Sequence, residues 1–173
     1  MKPSHPVANE QLLDWLRDAH AMEEQAQTML STMEGRLEHY PELRARISQH
    51  IDETKNQAEL LRHCIQKRGG DASLLKDMAG RAMALMQGFS SAMASDEVIK
   101  GAMFSYAFEH LEIAAYRNLI ATARYVDDAG TAQVCERILA EEEAMAAWLE
   151  EHMDTLTTQF LQTAGVAPGH AKR

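Results

Sequence analysis

The chain has 173 residues, a formal net charge of −9 and 46% hydrophobic residues, values typical of one globular domain. No apolar run is long enough to span a membrane, and residues 1–6 lack the apolar core of a signal peptide. We therefore expect a cytoplasmic protein. No cluster of Lys and Arg marks a helix face, so nucleic-acid binding is not expected either.

The first half of the chain predicts two long helices joined by a short turn. Apolar residues recur at three- and four-residue steps from Asn9 to Leu37, and Asn9 suits the N-cap position. Pro41 suits the first position of the second helix, which the Gly69-Gly70 pair ends. At about 27 residues, each helix would be about 40 Å long.

The second half predicts a short helix over about 72–86 and then two more long helices. Ser95 suits the N-cap of the third long helix, which ends near Tyr125. The fourth helix follows Gly130 and continues to about residue 164. One domain over residues 1–164 with a frayed tail over 165–173 is therefore expected.

The lengths of the connections predict the topology. Short links join the first helix to the second and the third to the fourth, so each pair forms an antiparallel hairpin. The middle link is about 26 residues long, enough to run back along a bundle about 40 Å in length. The fold class is therefore all-α: a ferritin-like four-helix bundle of two antiparallel hairpins, with a long crossover containing a short fifth helix. Cys64 and Cys135, in helical contexts, are expected to be buried reduced thiols.

Glutamates occupy positions on these helices where apolar residues are expected. Glu23 and Glu142 lie within the apolar stripes of the first and fourth helices. Glu53 flanks the stripe of the second helix. On the third, Glu109 and Glu112 form a ridge beside the predicted apolar stripe of Met103, Tyr106, Ala107, His110, Ile113, Ala114 and Ile120. Burying unpaired carboxylates is costly, and no inward Lys or Arg offsets them. Oxygen ligands on four facing helices hold two iron or manganese ions in known bundles, so these five glutamates are the candidate metal ligands.

Several site assignments stay open at this point. A single Glu beside a helical stripe is usually a solvated flank residue, whereas the coincidence of Glu23 and Glu142 favours a cation site. His110 lies on the predicted apolar face of the third helix and is interpreted as a hydrogen-bonded core residue rather than a ligand. Four other residues remain open as members of the site: His50, Gln57, Tyr116 and Glu141.

A motif typical of di-iron bundles is missing. In those proteins, Glu-x-x-His on two helices brings a carboxylate and an imidazole to the metals together. No Glu in this sequence is followed three positions later by His; Asn56 follows Glu53 and Met145 follows Glu142 at that spacing. An oxygen-rich ligand set favours hard cations and weakens the case for oxygen activation.

Three segments resemble the YciE/YciF family of ferritin-like bacterial stress proteins, and YciE members most closely: LRDAHAMEEQ at 16–25, ETKNQ at 53–57 and EHLEIA at 109–114. The resemblance covers nearly the whole chain and implies a homodimeric bundle with a two-metal site. The five candidate glutamates fall on the family's acidic positions. Ala146 stands where related sequences have Asp, which removes one ligand or supporting group.

Two functions are weighed. The first is a di-metal carboxylate protein of the stress response that handles iron, manganese or peroxide, with two Fe or Mn ions and Mg as a substitute. The alternative is a non-enzymatic helical dimer with a structural or partner-binding role. Its Met-rich crossover would adapt to another surface through Met78, Met83 and Met86, although these residues also suit gap-filling over the bundle.

Overall fold

A computed structural model describes residues 5–70 and 97–166, and these residues form four long helices. They are α1 (Pro6–Glu34), α2 (Pro41–Lys67), α3 (Glu97–Tyr125) and α4 (Ala129–Val166). The described ranges contain no strand, so the predicted all-α bundle is confirmed. The predicted short helix at 72–86, the Ser95 cap and residues 167–173 of the predicted tail lie outside the described residues. Residues 165 and 166, predicted to belong to that tail, end α4 instead. Within them, no helix combines the length and hydropathy needed to cross a membrane.

Proline begins both helices of the first hairpin. Pro41 starts α2 as predicted, because the first helical position needs no backbone N–H. Pro6 starts α1 for the same reason, so Asn9 lies inside the helix and the prediction that it is the N-cap was wrong. Its Nδ2 instead donates a hydrogen bond of 2.8 Å to the backbone oxygen of His5. Gly69, with a φ of 75°, follows the end of α2 as predicted.

Contacts between the hairpins show that α1 runs antiparallel to α3. Gly101, near the start of α3, lies beside Met33, near the end of α1. Farther along α3, the Tyr116 hydroxyl donates a hydrogen bond to Glu23 in the middle of α1. Sequence position thus rises along one helix as it falls along the other.

The same antiparallel register relates α2 to α4. Gln57 Nε2 donates to Glu141 Oε2 at 2.9 Å, and Gln159 Nε2 donates to the backbone oxygen of His39 at 2.9 Å. The end of α2 lies beside the start of α4, whereas α3 starts at the opposite end of the bundle, next to the end of α1. This is the arrangement that a ferritin-like crossover requires.

The apolar core consists of two clusters with buried polar residues between them. One cluster includes Leu12, Leu16, Leu61, Cys64, Tyr116, Leu119, Cys135 and Ile138, and the other includes Leu30, Leu43, Ile47, Met145 and Leu149. Both cysteines are free and buried, as expected. Seven polar residues, none more than 1% exposed, form what we call the polar layer: Glu23, His50, Thr54, Gln57, Glu109, Glu112 and Glu142.

The buried face of α3 differs from the one that the sequence predicted. Four residues of the predicted apolar stripe are exposed: Met103, Ala107, His110 and Ala114. The buried ridge includes instead the residues predicted to lie beside the core: Glu109, Glu112 and Tyr116. Ile113 and Ile120 are buried as predicted. Because α3 carries apolar residues on its outward face as well, hydrophobic periodicity rotated the predicted core face partly toward solvent.

Candidate metal centre

The centre of the polar layer is a triad from three helices. His50 Nε2 lies 3.2 Å from Glu109 Oε2 and 3.5 Å from Glu142 Oε2. One ligand atom from each residue falls within 4.8 Å of the others, a spacing that one metal ion could bridge. His50 comes from α2, Glu109 from α3 and Glu142 from α4, so the triad exists only in the folded bundle.

Glu53 supports this triad from its edge. Its Oε2 lies 2.8 Å from His50 Nδ1, and its carboxylate also accepts hydrogen bonds from Arg46 Nη1 at 3.2 Å and Gln49 Nε2 at 2.7 Å. The Glu53 side chain is 21% exposed, unlike the carboxylates of the polar layer. Its contact with Nδ1 fixes the ring so that Nε2 faces the other two carboxylates. The prediction that Glu53 itself is a metal ligand stays a prediction.

A second group of buried carboxylates lies on α1 and α3. Tyr116 donates its hydroxyl hydrogen to Glu23 Oε1, which brings this tyrosine next to the site. Within the described residues, Glu23 Oε2 and Glu112 Oε1 have no hydrogen-bond partner. Both oxygens of Glu142 share that condition. Buried oxygens without partners are costly, and a divalent cation would satisfy them.

The remaining open residues take different positions. Gln57 is completely buried and holds Glu141, whose carboxylate also lies 3.4 Å from Arg137 Nε. His110 is exposed, with its ring edge-on to Tyr106 at a centroid distance of 4.6 Å. The interpretation of His110 as a core residue was therefore wrong, and it lies away from the polar layer.

Burial controls the protonation of the carboxyl groups. It raises the pKa of Glu23 well above its usual value, and the nearby Glu142 raises it further. The pKa of Glu112 is likewise raised well above its usual range, by burial and then by the charge of Glu23. Burial also raises the pKa of Glu109 to about 8. The metal-free site therefore retains protons that a cation would displace.

His50 shows the opposite balance. Burial alone would lower its pKa, but the adjacent carboxyl groups of Glu109, Glu142 and Glu53 together raise that pKa to about 12. Without metal the imidazole is thus a cation. A metal ion in the triad would replace the Nε2 proton, while Glu53 remains on Nδ1. One imidazole nitrogen with several carboxylate oxygens is a donor set that suits iron or manganese.

The sequence contained a signal for the α2 part of this site. His50, Thr54 and Gln57 recur at four- and three-residue steps, on the face that also carries Ile47 and Leu61. Three polar side chains on an otherwise apolar face indicate a buried polar site. From the sequence, Glu53 was predicted as the candidate ligand of α2, whereas the role of His50 was left open.

The fold and the site define a carboxylate-lined helical bundle. The chain belongs to the family described as a domain of unknown function, DUF892, whose model matches residues 7–162. A crystal structure of a protein from Xanthomonas campestris pv. campestris is 40% identical, with a TM-score of 0.77, covering 91% of this chain and 99% of that one. YcfI from Rhodopseudomonas palustris is 24% identical, with a TM-score of 0.67, covering 87% of this chain and 97% of that one, and shows the fold alone.

Proposed function

We propose that this protein is a ferritin-like di-metal carboxylate protein that binds iron or manganese in a bacterial stress response. The observation that carries the proposal is the buried triad of His50, Glu109 and Glu142, whose ligand atoms lie within 4.8 Å of one another. The resemblance to the YciE/YciF family supports the stress-related role. Bound iron or manganese would supply redox chemistry toward peroxide.

The proposal uses two cation positions in the polar layer. The first takes His50 Nε2 with one oxygen each from Glu109 and Glu142. A second cation would be held by Glu23, Glu112 and the remaining oxygen of Glu142, which supply buried oxygens without hydrogen bonds within the described chain. Tyr116 holds Glu23 in place through its hydroxyl group. Mg²⁺ would substitute as a hard cation without redox activity.

The test is metal binding with a matched pair of variants. Glu142 is fully buried in the polar layer, whereas its neighbour Glu143 is 47% exposed and pairs with Arg117. Protein purified without chelator is analysed for metal by mass spectrometry, and its melting temperature is measured with and without Mn(II). The wild type and Glu143→Gln should both bind metal. Free Mn(II) at a hundred times its Kd should raise the free energy of unfolding of both by about 2.7 kcal/mol. Glu142→Gln should lose most of that gain. A wild type that neither contains metal nor gains stability would contradict the proposal.

A non-enzymatic helical dimer is the second candidate, favoured by exposed apolar residues on α3. Met103 is 57% exposed and Leu111 is 54% exposed. The Glu23→Gln/Glu142→Gln double variant separates the two functions. If the carboxyls are merely crowded, the variant should be more stable than the wild type and keep its biological effect. If they bind metal, it should lose metal-dependent stability.

A further inference from the structure

Two neutral side chains of the polar layer have acceptor atoms without a partner. Thr54 is 1% exposed and Gln57 is completely buried. Within the described residues, neither Thr54 Oγ1 nor Gln57 Oε1 makes a hydrogen bond. They follow His50 by four and seven residues on α2, so all three lie on the face that points into the bundle. Neither neutral residue belongs to the metal triad.

The orientation of the Gln57 amide is fixed by its neighbour. Glu141 carries a carboxylate, which accepts hydrogen bonds, so the amide group that contacts it at 2.9 Å must be the donating Nε2. The carbonyl Oε1 is therefore the atom left without a partner inside the bundle. Glu142, the next residue on α4, also has two oxygens without hydrogen bonds. The free amide oxygen thus belongs to the same buried region as the cation ligands.

We propose that Thr54 and Gln57 form a neutral subsite that holds a small hydroxyl ligand, water or hydrogen peroxide, beside the cation. This inference rests on the proposed function, because the ligand completes the coordination of that cation. Gln57 Oε1 can only accept, and the Thr54 hydroxyl both accepts and donates, so the ligand must itself donate from O–H. The buried glutamates of the polar layer disfavour an anion beside them.

The water arm of the test uses Mn(II)-loaded protein in water enriched in oxygen-17. Broadening of the Mn(II) electron paramagnetic resonance lines reports water bound to the ion. Thr54→Val and Gln57→Leu should reduce this broadening and weaken Mn(II) binding about three- to tenfold, the range expected for one lost hydrogen bond. Thr54→Ser keeps the hydroxyl group and should restore both properties. In the metal-free protein, Thr54→Val should not lower the melting temperature, since its hydroxyl has no protein partner to lose.

Two controls match the substitutions at positions where the polar group is satisfied. The Thr157 hydroxyl donates to the backbone oxygen of Met153, and Gln159 donates to that of His39. Thr157→Val and Gln159→Leu should leave Mn(II) affinity and broadening unchanged. If the wild type binds Mn(II) and both site variants retain its affinity and broadening, the subsite is wrong while the metal site stands. A wild type that binds no Mn(II) overturns the proposed function and this inference with it.

The peroxide arm identifies which hydroxyl ligand the subsite holds during turnover. If hydrogen peroxide occupies it, Thr54→Val and Gln57→Leu should raise the KM for disproportionation of peroxide to water and oxygen, which needs no added reductant, more than they lower kcat. If the wild type consumes no peroxide while the broadening still depends on Thr54, the ligand is water. If the wild type consumes peroxide, but neither the KM nor the line broadening changes in the two variants, the subsite holds neither ligand.

Discussion

His50 divides its two ring nitrogens between different environments. Nδ1 contacts Glu53 at the partly exposed edge of the site, while Nε2 faces the buried Glu109 and Glu142. The carboxylate of Glu53 is stabilised there, because hydrogen bonds from His50 and Gln49 and the charge of Arg46 outweigh burial and lower its pKa to about 2. Glu53 therefore stays ionised across the physiological range and keeps the imidazole oriented.

This arrangement predicts that Glu53 controls metal affinity through His50. Glu53→Gln should weaken Mn(II) binding about 10- to 100-fold, the usual effect of removing a carboxylate that supports a histidine ligand. Isothermal titration calorimetry measures the change. Glu59→Gln is the control, because Glu59 lies on the same helix but pairs with Arg62 at the surface. Equal affinities for the two variants would show that Nδ1 needs no carboxylate.

The raised pKa values of the buried carboxyls predict how the metal-free protein responds to pH. A carboxyl whose pKa is higher when folded binds more protons in the native state, so stability falls as pH rises from its unfolded toward its folded pKa. For Glu109 this interval runs from the ordinary value of 4.5 to about 8. His50, raised from 6.5 to about 12, acts in the same direction above pH 6.5.

Denaturant unfolding at pH 5, 6.5 and 8 in the presence of chelator should therefore show a steady loss of stability. Glu112→Gln removes one buried titrating group and should make this dependence shallower. Excess Mn(II) should reverse the trend, because deprotonated ligands bind the cation better. Stability that rises from pH 5 to pH 8 without metal would contradict these protonation states.

At the level of helices, Asp128 connects the start of α4 to the rest of the bundle. Its Oδ1 accepts a hydrogen bond of 3.0 Å from the Thr131 backbone N–H, and its Oδ2 one of 2.7 Å from the Thr131 hydroxyl. Arg68, which follows α2, donates to the same carboxylate and also to Asn9 Oδ1 at 2.6 Å. Three helix ends thus meet around one capping residue.

Replacing this cap separates two contributions to stability. Asp128→Ala should cost about 0.5–2 kcal/mol in denaturant unfolding at pH 7, as the loss of an N-cap does elsewhere. Asp128→Asn should cost less, because Asn caps helices well but loses the charge that faces Arg68. Despite partial burial, hydrogen bonds from Thr131 and Arg68 lower the pKa of Asp128, so its contribution is present above pH 4 and fades as pH falls through that lowered pKa. Equal stability of Asp128→Ala and the wild type would show that α4 needs no cap.

The buried face of a helix was predictable from the sequence to a different degree in each helix. In α1 and α4, one face is clearly apolar, so periodicity identified Glu23 and Glu142 as buried intrusions, and the structure places both below 2% exposure. In α3 both faces contain apolar residues, and the buried face could be recognised only by what α1 and α4 pack against. The orientation of a helix with two apolar sides is a tertiary property.

At the level of the whole molecule, link lengths predicted the pairing of helices, but the composition of the site required the register between them. Glu109 and Glu142 meet His50 because α2, α3 and α4 are aligned at the polar layer, and no local sequence pattern specifies that alignment. Most of the buried glutamates were therefore predicted from the sequence as candidate ligands, whereas the role of His50, which lies between two of them, was left open. Spacing within a helix is encoded locally, whereas spacing between helices depends on packing of the whole core.

The outward face of α3 leads to a prediction about assembly. Exposed apolar residues follow its length, from Met103 through Leu111 to Tyr125, which are 57%, 54% and 63% exposed. Exposed large apolar residues concentrated on one helix favour an interaction surface, and two copies of one chain most often pair around a twofold axis. We propose that two copies pair through this face, as the resemblance to a homodimeric family also implies.

Light scattering after gel filtration should then give about twice the 19.4 kDa of one chain. Around a twofold axis each substitution enters the interface twice, so Leu111→Glu places two buried charges there and should produce a monomer. Leu161→Glu is the matched control, since Leu161 is 62% exposed but lies on α4. The metal triad lies within one chain, so the monomeric variant should still bind Mn(II). A wild type that elutes as a monomer, or a dimer disrupted by Leu161→Glu rather than Leu111→Glu, would place the interface elsewhere.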